Sequence, residues 1–277
     1  MHKFFKKRPV LSFIFLAFLI SWIFGLAAGV TLGPAERAIG WQNRPFSLLL
    51  LKFGPSIAGL FLAWYLSGKD GFFNLLVRGI KWKVSWKIIV TVLILPAILM
   101  LIPMYLWLPE NLSNIFSWST ALILIQTAGL KIFLGGGFGE EFGWRGFLQP
   151  ELEKAISPLT ASMVVGVVWT AWHLPLRLVG GDIGHPVVFS ATLLGYSVIL
   201  AWIYHASGGS VLWAAVFHGW VNALSNTLDS AFGNQLTDIE MQINSAYAIL
   251  IVLTAVLLLI IYGHNLGTNS NEHLAHT

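Results

Sequence analysis

IIVTVLILPAILMLIPMYLWL, residues 88–108, runs for 21 residues without a charged side chain, between Lys87 and Pro109-Glu110. As a helix rising about 1.5 Å per residue, it is long enough to cross a hydrocarbon layer of roughly 30 Å. Seven more mostly apolar runs, at about 9–33, 45–66, 119–147, 159–176, 187–205, 210–226 and 246–263, predict an all-α polytopic bundle of about eight transmembrane helices. Composition agrees: of 277 residues, 56% are hydrophobic and 10% charged, against about 25% charged in soluble domains. An ordinary soluble domain is excluded. The chain has no cysteine, so thiol nucleophiles, disulfides and cysteine-bound metals are excluded too. Its net charge of +4 lies beside apolar runs and forms no basic stripe, which suits anionic lipid headgroups and not nucleic acid.

No internal repeat or composition break appears, so residues 1–277 read as one integral membrane domain whose core is about 119–226. The first apolar run follows Lys3, Lys6, Lys7 and Arg8 and is longer than the roughly 7–15 residues of a signal-peptide core, so it reads as an uncleaved span. A cytoplasmic N-terminus also places Lys69, Arg78, Lys81, Lys83, Lys87, Arg145 and Lys154 inside, eleven of sixteen Lys and Arg, with Arg37, Arg44 and Arg177 outside. This bias predicts that both termini are cytoplasmic, in the cell membrane. Residues 70–87 mix Phe72, Phe73, Ile80, Trp82 and Trp86 with cations, and read either as an interfacial helix or as a charged loop. The polar tail 264–277 carries His264, His273 and His276 at irregular spacing, which does not suggest a metal site.

Ionisable groups inside spans are costly and need a partner, a wet cavity or a function. GGGFGEEFGWR, residues 135–145, sets Glu140 and Glu141 behind glycines that let neighbours approach. On a helix Glu141 and Arg145 are i and i+4, the order that favours an ion pair, while Glu140 points about 100° away and is free to act as a general base. WTAWHLP, residues 169–175, places His173 in an aromatic helix end, and HGWVN, residues 218–222, puts His218 and Asn222 on one face. Each motif alone has an ordinary structural explanation: a snorkelling arginine, a core histidine, interhelical hydrogen bonding. Together they supply what amide hydrolysis by water requires, with Glu140 and His173 to activate the water and His218 and Asn222 to bind the oxyanion.

Glu-Glu-x-x-x-Arg at 140–145, aromatic-x-x-x-His at 169–173 and His-x-x-x-Asn at 218–222 resemble the signature of the CPBP family. These intramembrane proteases comprise CAAX-prenyl endopeptidases and bacteriocin-processing or self-immunity (Abi) proteins. The resemblance implies that Glu140 and His173 activate water, Glu141 and Arg145 support the site, and His218 with Asn222 form the oxyanion hole. It also implies a peptide or lipidated protein substrate. The second motif more often begins with Phe; Trp169 is a departure expected not to affect chemistry, because His173 is kept. A non-catalytic immunity protein is the alternative within the family. A transporter using Glu140 as a proton site lacks a second glycine cluster in the other half of the chain.

Glu140, His173 and His218 would supply a two-histidine, one-carboxylate set for Zn²⁺. There is no His-Glu-x-x-His, however, and Glu141 would then have to act as base while committed to Arg145, so metal-free catalysis is favoured. The expected boundaries leave one conflict: Glu140 and His218 lie about 10 and 12 Å from the inner ends of their spans, but His173 about 21 Å. A fifth helix that projects inward from Pro158, or tilts, is expected to close the gap, around a cavity open to the cytoplasm.

Overall fold

A computed structural model describes residues 2–31, 46–108, 117–174, 184–232 and 239–268. The described residues are helical with no strand: α1 (His2–Lys7), α2 (Pro9–Thr31), α3 (Phe46–Arg78), α4 (Trp86–Trp107), α5 (Trp118–Phe133), α6 (Gly136–Gly143), a π-helical turn (Trp144–Leu148), α7 (Gln149–Glu153), α8 (Pro158–Trp172), α9 (Pro186–Ala206), α10 (Val211–Phe232) and α11 (Glu240–Tyr262). The expected spans coincide with α2, α3, α4, the α5–α6 region, α8, α9, α10 and α11. Among the described residues, four segments are long and apolar enough to cross a membrane unaided: Trp86–Trp107, Trp118–Glu153, Pro186–Ala206 and Glu240–Asn265. Pro9–Phe24 and Pro158–Trp172 are shorter apolar helices.

Helix starts follow their sequences. Ser157 Oγ accepts from the Thr160 amide at 3.3 Å and Pro158 opens α8 as a pre-set first residue. Ser117 caps α5 in the same way. Gly68, at φ +66°, breaks α3, so residues 69–78 form a separate helical arm. That arm is the helical part of the expected interfacial segment: Phe73 and Val77 are exposed, whereas Leu75 is buried. Residues 79–85 are not helical.

Two expectations change. The fourth span is not continuous, because the chain breaks at Gly135 (φ −104°, ψ −148°) and restarts as α6. The break brings α6 into contact with α10: a Cβ on Gly136 would lie 2.5 Å from His218 Nε2 and 2.8 Å from Asn222 Nδ2. A continuous helix with side chains could not approach this closely. Arg145 is fully buried, which goes against its alternative reading as an arginine snorkelling to headgroups.

α2 packs on α3, α3 on α6, α5 and α6 on α10, and α9 on both α8 and α11. One end of this bundle gathers the start of α2, the end of α3 and the starts of α4, α8 and α10. It is tied by Arg78 to the Tyr204 hydroxyl and the Gly146 carbonyl (both 2.7 Å), by Ser210 to the Lys81 carbonyl (2.7 Å), and by His205 to Glu153 (2.9 Å). Lys81, Lys83, Lys87 and Lys154 belong to this basic end. Arg37, Arg44 and Arg177 lie outside the described residues, as do His273 and His276.

Candidate active site

α6, α8 and α10 bring the three motifs together. Glu140 is buried, and its Oε2 accepts the indole N–H of Trp169 at 2.7 Å and that of Trp144 at 3.3 Å. Oε1 has no hydrogen bond within the described residues, and Glu140 lines a cavity of about 330 Å³. The π-helical turn begins at Trp144, one of these two donors; single turns of this kind are frequent at functional sites. His173 ends α8, and its Nδ1 lies 2.8 Å from the Trp169 carbonyl. A carbonyl can only accept, so Nδ1 carries the proton and Nε2 is left as an acceptor. His173 lines the same cavity and lies within electrostatic range of Glu140.

Glu141 turns away from the cavity, as the helical offset predicts. Its carboxylate accepts from Arg145 Nη1 at 3.2 Å through both oxygens and from His218 Nδ1 at 2.8 Å. Arg145 is held further by Ser197 Oγ at 3.2 Å and sits 5.2 Å from the Trp169 ring centre. The expected Glu141–Arg145 pair is thus part of a buried triad that fixes His218. His218 Nε2 and the Asn222 amide meet at the bare Cα of Gly136, and within the described residues the Asn222 side chain makes no hydrogen bond.

Trp169 is therefore not a bystander. Its N–H reaches Glu140, its face covers Arg145, its carbonyl fixes His173, and its ring meets His218 edge-on at 5.1 Å. A phenylalanine would keep the packing and lose the bond to Glu140. Spacing alone gave no sign of this contact.

The axial conflict resolves on α6, not on α8. The helical run from Gly136 continues through the π turn to Glu153, so Glu140 stands thirteen residues, about 20 Å, from the basic end, level with His173. Much of the cavity lining lies in the halves of the helices remote from that end, while Leu200, Phe217 and His218 lie in the nearer halves. Lys52 is near the start of α3, Phe189 and Tyr196 are in the first half of α9, and Tyr247 is near the start of α11. Beneath it Trp144, Arg145, Leu148 and Gln149 are fully buried.

Among the described residues no three His, Asp or Glu side chains are placed to hold a metal ion. Glu140 Oε2 and the Nδ1 atoms of His173 and His218 bond to Trp169, the Trp169 carbonyl and Glu141, while Glu140 Oε1 and both Nε2 atoms make no hydrogen bond among the described residues.

Residues 117–224 match the Rce1-like family of type II CAAX prenyl endopeptidases. The resemblance read from the three motifs holds, and the matched segment contains all of them. CAAX prenyl protease 2 of Methanococcus maripaludis is 27% identical over 160 residues, covering 54% of this chain and 58% of that protein. Lysostaphin resistance protein A of Staphylococcus aureus (strain MRSA252) is 25% identical over 217 residues, covering 74% of this chain and 47% of that protein. The chain spans about half the length of the curated relatives it matches. The Rce1-like match covers α5 through most of α10, and so includes the Gly135 break, the Trp169 hub and the Gly136 contact.

Proposed function

We propose that the protein is an intramembrane endopeptidase that cuts a peptide bond of a membrane-associated peptide or lipidated protein. The observation that carries this reading is that Glu140 and His173, whose Oε1 and Nε2 make no hydrogen bond among the described residues, line one cavity with His218 and Asn222, whose Nε2 and Nδ2 converge on Gly136. A water between the acceptors is oriented by both and gives a proton to Glu140 as its oxygen bonds to the scissile carbonyl carbon. The carbonyl oxygen, now anionic, accepts from Asn222 Nδ2 and from His218 Nε2. The latter donates when Nε2 as well as Nδ1 carries a proton. The C–N bond then breaks and the proton held by Glu140 passes to the leaving amine.

No step in this sequence needs a metal. Elemental analysis of active protein tests that point: one tightly held zinc per chain, lost together with activity, would overturn it. Cleavage of an S-farnesyl peptide with a short aliphatic tail, by protein reconstituted in lipid, tests the reading as a whole. Wild type should cut and Glu140→Gln should not. The alternative is a non-catalytic bacteriocin self-immunity protein, and the resistance in the name of the Staphylococcus relative is what supports it. In that case Glu140→Ala would retain the protective phenotype.

A further inference from the structure

At the basic end, remote from Glu140, α3 doubles back on itself. Gly68 takes φ +66°, and a Cβ on Gly71 would fall 2.5 Å from the Ala63 carbonyl oxygen, so the arm 69–78 closes against the span it has just left. The arm is pinned at its far end. Leu75 is buried in a cluster against which Leu60 and Ala63 pack, and Arg78 donates to the Tyr204 hydroxyl and the Gly146 carbonyl. Between span and arm lies a cavity of about 430 Å³ lined by Leu60, Phe61, Trp64, Lys69, Phe72 and Phe73. It shares no lining residue with the catalytic cavity. Phe61, Trp64 and Phe73 are exposed, as is Lys69, the charged member of the lining, which forms no ion pair among the described residues.

Apolar walls suit an alkyl chain, and aromatic rings at the end of a span mark the depth at which hydrocarbon gives way to headgroups. The ammonium of Lys69 suits an anion there. Phe5 of α1 meets Tyr65 edge-on at 5.6 Å, and Tyr65 stacks on Phe61 at 5.8 Å, which sets α1, with its exposed Lys6 and Lys7, beside the elbow. Asp70, the acidic residue of the arm, is not part of the lining, so the local balance of charge is positive. We propose that the elbow binds one anionic phospholipid of the leaflet at the basic end, with an acyl chain between Phe61, Trp64, Phe72 and Phe73 and the phosphate at Lys69. Such a lipid brings the alkyl chain and the anion on one molecule. A zwitterionic lipid carries its own ammonium beside the phosphate and gains less from Lys69. The proposal stands apart from the protease reading.

The test reconstitutes the full chain in phosphatidylcholine vesicles holding a trace of either phosphatidylglycerol or phosphatidylcholine with the same photoreactive group on one acyl chain. Adducts are mapped by peptide mass spectrometry. The phosphatidylglycerol probe should label residues 60–73 at least about fivefold more than the phosphatidylcholine probe, the discrimination that one lysine near a lipid surface gives. Lys69→Gln should bring that ratio towards one. Lys83→Gln removes an exposed charge at the same end but off the lining, and should leave the ratio unchanged. Equal labelling by the two probes would overturn the proposal, as would equal loss in the two lysine variants. So would adducts spread evenly onto other exposed faces, such as that of α11 with Leu253, Leu257 and Ile260, or cross-links joining residues 60–73 of two copies.

Discussion

The Trp169 indole N–H donates to Glu140 Oε2 at 2.7 Å, joining α8 to α6 across 29 residues of chain. The bond occupies the oxygen that faces the protein and leaves the other to the cavity, so Trp169 sets which lone pairs of Glu140 can meet water. Trp169→Phe keeps the ring contacts with Arg145 and His218 and deletes only the donor. Hydrogen bonds to charged groups contribute about 1.5–3 kcal/mol, so turnover should fall about tenfold or more, with KM and melting temperature changing little. Unchanged turnover would show that Trp144 alone orients the carboxylate.

Glu140→Gln and His173→Ala should each lower turnover at least about 10²-fold without unfolding the protein, because general-base catalysis contributes about 10²–10⁴-fold. Single-turnover rates on folded, monodisperse protein check this. A retained rate in either variant removes that residue from the mechanism.

Glu141 and Arg145 are both fully buried, so removing either strands the other's charge. Glu141→Ala and Arg145→Ala should lower stability by about 3–5 kcal/mol, read as melting temperature in detergent. Only the Glu141 variant also releases His218 Nδ1, so its activity should fall further per folded molecule. Equal specific activity in the two variants would show that Glu141 does not hold His218 for catalysis.

Gly136→Ala places a methyl where His218 Nε2 and Asn222 Nδ2 now converge, at 2.5 and 2.8 Å. One of the two must move. Losing one oxyanion donor costs about 10²–10³-fold in kcat, so Gly136→Ala should resemble Asn222→Ala in rate, with near-normal substrate affinity in both. A fully active Gly136→Ala protein would place the oxyanion elsewhere.

Much of this was readable before any coordinates. Apolar run length gave the helices, because lipid demands it, and the i, i+4 spacings of Glu141–Arg145 and His218–Asn222 gave a real pair and a real shared face. What spacing could not give were contacts across helices: Trp169 to Glu140, and Glu141 to His218. The glycines at 135–137 announced a close approach but not that the helix would break there. The helical run past residue 147 to Glu153, which the spacing did not give, sets Glu140 about 10 Å further from the basic end and level with His173. Lys52 and Lys131 were visible as charges inside spans, the same signal that marked Glu140, but no motif tied them to the cavity they line.

The last prediction concerns which face the site serves. Much of the cavity lining lies in the halves of the helices away from Lys81, Lys83, Lys87 and Lys154, and Trp144, Arg145 and Leu148 on the run towards that end are buried. Positively charged loops stay in the cytoplasm during insertion, so the basic end should be cytoplasmic and the cavity should be reached from the opposite leaflet. The native chain has no cysteine, so a single introduced thiol reports its own accessibility without background. Ser225 is exposed and lines the cavity, and Lys83 is exposed at the basic end. In intact cells a membrane-impermeant maleimide should label Ser225→Cys, and should label Lys83→Cys only after permeabilisation. The reverse pattern would invert the protein, place the basic end outside against its charge, and return the cavity to the cytoplasmic face.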